Sequence, residues 1–161
     1  MMNSVLLTSE GHVGFGQIPK LTKKHLKPGQ LLIKVEAAAL NPSDILFLRG
    51  LYKGKIRYPY SPGWEGSGTV VAVADGSGML ARALSGQRVA FSKMQEVGSF
   101  LIGGAMADYI IADPNHVIPL SGEYSFEEGA TFFVNPLTAL CMVERVKNLG
   151  SKVCIVTAAA S

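Results

Sequence analysis

The sequence predicts a mainly β fold, a small barrel or sandwich of short strands, followed by helices and the first strand of an α/β unit. Three observations predict it. Short alternating apolar runs, each closed by glycine or proline, fill the chain up to Leu120. The pattern changes at Ser121 to a helical period. Finally, an apolar run at 153–156 leads into Thr157 and three alanines, which reads as a buried strand entering a small-residue turn.

The elements follow in order. "SVLLTS" (4–9) and "VGFGQIP" (13–19) form a hairpin around Glu10-Gly11. Lys27-Pro28-Gly29 turns the chain into "QLLIKVEAAAL" (30–40), where Ile33, Val35 and Ala37 face one way and Lys34 and Glu36 the other. "SGTVVAVA" (67–74) closes at Asp75-Gly76; "GQRVAF" (86–91) and "AMADYIIA" (105–112) follow. Asp113-Pro114-Asn115 then turns into "HVIPL" (116–120). Beyond Ser121, Ser125 and Glu128 make a capping box, and Phe126, Ala130 and Phe133 share a helical face. Asn135-Pro136 restarts a helix, asparagine as cap and proline in the first turn, which stops at Asn148-Leu149-Gly150. The change of style sets a domain boundary near residue 122, dividing 1–122 from 123–161.

Composition excludes several classes. The 161 residues fit one domain, or one domain and a piece of another. Hydrophobic residues at 48% against 17% charged argue against disorder. The net charge of +3 is small, and the lysine clusters at 20–27 and 53–57 carry no arginine-aromatic pattern, so no nucleic-acid partner is expected. No apolar run reaches membrane-spanning length, and the first ten residues do not read as a signal peptide. Cys141 and Cys154 form no C-x-x-C pair and read as buried free thiols in a reducing, cytoplasmic compartment.

Metal chemistry finds little support. His12, His25 and His116 stand far apart, with no H-x-x-x-H or C-x-x-C spacing. "GWEGSGT" does not match the G-x-S-x-G of a nucleophile elbow. Two stretches exceed plain scaffold: "LNPSDILFLRGLYKG" (40–54) and "YPYSPGWEGSGTV" (58–70), polar and aromatic loops at strand ends. Gly63, Gly66 and Gly68 there permit close backbone approach or positive φ. Asn41-Pro42-Ser43-Asp44 is equally a helix-capping sequence and a candidate site, and the residues alone leave both readings open.

Six stretches in register, "AAALNPSDILFLRGLY", "PGWEGSGTVVAV", "GQRVAF", "GAMADYIIAD", "FEEGATFFVNPLTAL" and "VCIVTAAAS", resemble the medium-chain dehydrogenase/reductase superfamily, in its zinc-free quinone and enone reductase branch. The resemblance covers nearly the whole chain. It implies a GroES-like, partly opened β-barrel catalytic domain over 1–122 and the start of a truncated Rossmann domain over 123–161. The zinc enzymes of the superfamily carry cysteine where Asn41 stands and histidine where Trp64 stands; Val134 falls near the third ligand's place. Residues 92–104 have no counterpart of the structural zinc lobe, so the resemblance implies no zinc.

The implied activity is NADPH-dependent reduction of quinones or activated C=C bonds in enones and enoyl thioesters. The resemblance sets Asn41 near nicotinamide and substrate, and matches Tyr52 to a G-x-Y tyrosine near the substrate carbonyl, where a phenol can donate to a developing oxyanion. Asn135 and Thr138 match a cofactor-facing segment, while Asp44 and Glu65 are expected to be structural or to support the site residues from behind. The partners implied are a small-molecule substrate and, at full length, a second copy in a homodimer. A Rossmann strand works only with its glycine turn and helix, so a chain ending at Ser161 is expected to be inactive alone and to leave an apolar edge exposed. The alternatives are a stand-alone GroES-like protein-binding module and a zinc-type alcohol dehydrogenase.

Overall fold

The computed structural model describes residues 1–8, 12–51, 58–92 and 104–157. Two antiparallel sheets carry the fold. Strand β1 (Met2–Leu7) pairs with β2 (Val13–Ile18). The second sheet has the order β6-β3-β4-β5-β7, with β3 at Leu31–Ala38, β4 at Glu65–Val73, β5 at Arg88–Ser92, β6 at Tyr109–Ala112 and β7 at Val117–Pro119. Among the described residues four α-helices complete it: α1 (Pro42–Leu48), α2 (Met79–Ala83), α3 (Phe126–Gly129) and α4 (Val134–Asn148). Each strand predicted between residues 4 and 120 is present, and α2 is an addition, set by Ala81 and Leu84 filling the core.

The burial pattern of β3 shows how the two sheets pack. Leu31 and Ile33 face a core with Val70, Val89, Phe91 and Ile110. Leu32 faces the other way, yet is also buried, because the β1–β2 hairpin covers that side with Met2, Leu6 and Ile18. Ile110 and Ile111 on β6 divide between the same two cores. The sheet is thus covered on both faces at this end, and polar alternation begins only at Lys34. Main-chain bonds fasten the hairpin down: Val5 N donates to Met106 O at 2.8 Å, and Leu7 exchanges bonds with Tyr60. Buried Ser4 donates its hydroxyl to Ser61 Oγ at 2.9 Å.

Two of the glycines in the 58–70 stretch have steric reasons. A Cβ on Gly68 would lie 2.0 Å from the carbonyl oxygen of Lys34, where β3 and β4 press together between two register shifts. Gly63 holds φ at +108° against the backbone of Ala105.

The expected box at Ser125 is formed: Ser125 N donates to Glu128 Oε2 at 2.8 Å and Glu128 N to Ser125 Oγ at 3.1 Å. Helix α3 is bound to the sheet, with the Ser67 hydroxyl donating to Phe126 O and the Arg88 guanidinium 4.4 Å over the Phe126 ring. Three expectations are corrected. Helix α4 begins at Val134, so Asn135 lies inside it and is not its cap. Residues 153–156 form no strand and are exposed, Ile155 at 84%, because a parallel strand exists only through a neighbour's ladder and among the described residues none lies beside it. Cys141 and Cys154 are exposed rather than buried, since they stand on α4 and on that unpaired segment, neither of which buries a described residue.

Gly68→Ala is expected to destabilise the fold by about 2 kcal/mol or more, through overpacking against a carbonyl that cannot retreat. Gly14→Ala, where a Cβ meets nothing within 4 Å, should stay within about 1 kcal/mol of the parent. Urea denaturation of the two variants checks the contrast.

Candidate functional site

The ends of three elements meet around one carboxylate. Glu65 opens β4 opposite Ser92 at the end of β5, and it is completely buried. Asn41 precedes α1 and is 4% exposed. Glu65 Oε1 accepts from Asn41 Nδ2 at 3.0 Å, and Oε2 accepts from the N–H groups of Phe133 and Val134, each at 2.8 Å. Those two N–H groups open α4, so Glu65 caps a helix that starts 69 residues further along the chain. Three charge-assisted hydrogen bonds and the positive end of the helix dipole offset the cost of burying the charge.

The network continues outward and inward. Asn41 Oδ1 accepts from Asn135 Nδ2 at 3.2 Å. Asp44, 1% exposed, accepts from Asn41 N at 2.8 Å and so orients the entry to α1. Burial pushes the Asp44 carboxyl above its ordinary value; the backbone N–H groups of Asn41, Gly63 and Trp64 act against that push, and the Glu65 charge adds to it. An aromatic wall stands beside them. Phe47 packs on Tyr60 with centroids 5.0 Å apart, and on Trp64 edge-to-face at 5.6 Å.

An apolar groove of about 810 Å³ runs along α4 from Ser92, past Phe133, Val134 and Leu137, to Thr138 and Cys141. The Thr138 hydroxyl donates to Val134 O inside the helix, leaving its oxygen as an acceptor at the groove.

The structure therefore brings together Asn41 and Asn135 and sets Thr138 one turn on. Tyr52 lies outside the described residues. Sequence reasoning took Glu65 as structural but missed that it caps α4. The signal was available: "FFVNPL" offers no Ser, Thr or Asp at the helix start, and "GWEGSGT" contains a single charge among glycines. Among the described residues, no cluster of three or more His, Cys, Asp or Glu side chains is placed to hold a metal ion. The positions matching zinc ligands present an amide, an indole and an isopropyl group.

Two variants test this electrostatic arrangement. Glu65→Ala strands three donors in the interior and is expected to cost at least about 3 kcal/mol, at roughly 1–3 kcal/mol for each, measured by chemical denaturation. Asp44 binds its proton more tightly folded than unfolded. Its contribution is therefore favourable at low pH and is lost as pH rises from the ordinary value of about 3.9 through the raised one. Asp44→Asn should abolish that downward step in a stability-versus-pH series.

Comparison with known proteins identifies the family of the fold. The family model for the alcohol dehydrogenase GroES-like domain matches residues 27–122. The chain is 37% identical over 112 residues to a quinone oxidoreductase of Lama guanicoe, covering 68% of this chain and 30% of that protein. It is 33% identical over 133 residues to a zinc-type alcohol dehydrogenase-like protein of Schizosaccharomyces pombe, covering 83% and 38%. A Mesorhizobium loti structure described as an NADPH:quinone reductase superposes with a TM-score of 0.74 at 34% identity, covering 92% of this chain and 45% of the other. The chain spans less than half the length of these relatives. With a barrel of this topology, and a family model matched over most of its length, the chain belongs to the alcohol dehydrogenase GroES-like family of the medium-chain dehydrogenase/reductase superfamily.

Proposed function

We propose that the protein carrying this chain is a zinc-independent, NADPH-dependent oxidoreductase that reduces quinones or the activated C=C bonds of enones and enoyl thioesters. The observation that carries the reading is the meeting of Asn41, Asn135 and the start of α4 beside an apolar groove. In this reading residues 1–122 form the substrate side and 123–161 begin the cofactor side.

The residues fit a nicotinamide ring. The groove has apolar side chains from Phe133, Val134 and Leu137 for a ring face, and Thr138 and Ser92 for polar edges. When bound, NADPH supplies hydride to an acceptor already made electrophilic by conjugation. The chain's own residues orient and protonate. Asn135, next to Val134 of the groove, and Asn41 bonded to it stand beside the groove, and apolar side chains exclude water. Tyr52 is assigned as the donor to the oxyanion that develops on the substrate carbonyl, a role supported by its G-x-Y context. A quinone or enone needs no Lewis acid to accept hydride, which suits positions 41, 64 and 134, where no metal ligand stands. The reading includes a cytoplasmic homodimer acting on a small molecule.

The test is NADPH oxidation, followed by loss of its absorbance, in the full protein with quinones, enones and enoyl thioesters. Turnover unaffected by chelators is expected with at least one class. Zinc-dependent alcohol oxidation without any such reduction would overturn the reading. Tyr52→Phe should lower kcat by about 100-fold while KM changes little.

A further inference from the structure

A side-chain amide has a donating end and an accepting end, and its surroundings decide which neighbour meets which. Here the decision starts at Glu65. Its three partners, Asn41 Nδ2 and the N–H groups of Phe133 and Val134, are all donors. A carboxylate only accepts, so Asn41 must turn its nitrogen to Glu65. Its oxygen then requires a donor, which Asn135 supplies through Nδ2 at 3.2 Å. Asn135 therefore keeps its own oxygen, Oδ1, without a partner among the described residues. It is an exposed residue in the first turn of α4, next to Val134 of the groove. A second observation points the same way. Thr138 lines the groove one turn on, and its hydroxyl proton is committed to Val134 O, so it too can only accept there.

We propose that Glu65 is a positioning residue that sets the polarity of the Asn41–Asn135 chain, so that this margin of the site offers acceptor oxygens and selects a ligand group that donates hydrogen bonds. On the functional reading above, that group is the primary carboxamide of the nicotinamide ring. Glu65 reaches the ligand only through the two amides. Its part is to decide which way they face.

The isosteric variant Glu65→Gln separates this role from simple capping. In E65Q the introduced amide meets the N–H groups of α4 with its oxygen, so its nitrogen faces Asn41. Asn41 must then reverse, and Asn135 after it, so that an N–H replaces the outward oxygen. The first readout needs no ligand: hydrogen exchange of the Asn135 side-chain amide in nitrogen-15 spectra. It is expected to be slow in the parent and faster in E65Q, whereas equal rates would overturn the proposal. The second readout is binding of NADPH against its 3-acetylpyridine analogue, whose methyl ketone cannot donate. The parent full protein should prefer NADPH by about threefold to tenfold, the worth of one hydrogen bond. E65Q should lose or invert that preference. Asn135→Ala, at an exposed position that leaves the Glu65 cap intact, should lose it as well. A parent that binds both dinucleotides equally, or an N135A variant that keeps the preference, would overturn the assigned ligand group. A parent that binds neither overturns the reductase reading and its ligand class together, while the exchange rates still decide the role of Glu65.

Discussion

The Glu65 carboxylate is the constraint on which the rest of the site depends. A buried charge is tolerated only when donors surround it. Here the donors come from the segment entering α1 and from the first turn of α4, and the acceptor comes from the start of β4. None of the three can be displaced without stranding the others. The bond from Asp44 to Asn41 N tightens the same knot from within α1. The geometry of the candidate site is thus a by-product of satisfying one charge in a closed interior.

That interior exists because the sheet is covered twice. The β1–β2 hairpin closes one face of β3 and β6, and the central core closes the other. Gly68 lets β3 and β4 approach more closely than any side chain would permit. The close approach draws the start of β4, and Glu65 with it, toward the segment that leaves β3 for Asn41. Position in the site is therefore inherited from strand register, and register is set by which residues can be buried on which face.

Much of this was legible in the residues. Period-two alternation located β3, and glycine and proline punctuation located the other strands. The Ser125–Glu128 pair gave its capping box. What failed to show was non-local. The Asn135-Pro136 pair has the local chemistry of a helix start, but the cap that operates comes from a distant strand, which moves the helix start back to Val134. An apolar stretch at 153–156 has the composition of a buried strand, yet strands are made by partners, which composition does not carry. The same gap misplaced Cys141 and Cys154, whose apolar neighbours are themselves exposed. Glu65 was visible as a lone charge in a strand of small residues. Its partners, 68 and 69 residues away, were not.

The weight on Glu65 also follows from what α4 lacks. None of its residues is buried; Leu140, Met142 and Val143 are each half exposed or more. A helix usually gains most of its stability from packing one face, and among the described residues α4 packs none. The ion pair between Glu144 and Lys147 is exposed and adds little. What remains is intrinsic propensity, the glycine stop at Gly150, and the carboxylate at the N-terminus. Of these, only the carboxylate ties the helix to the barrel, alongside the bond from Asn135 to Asn41. The cap that starts α4 is therefore also its anchor, and whatever the groove along α4 receives is aligned on the barrel through the same two N–H groups.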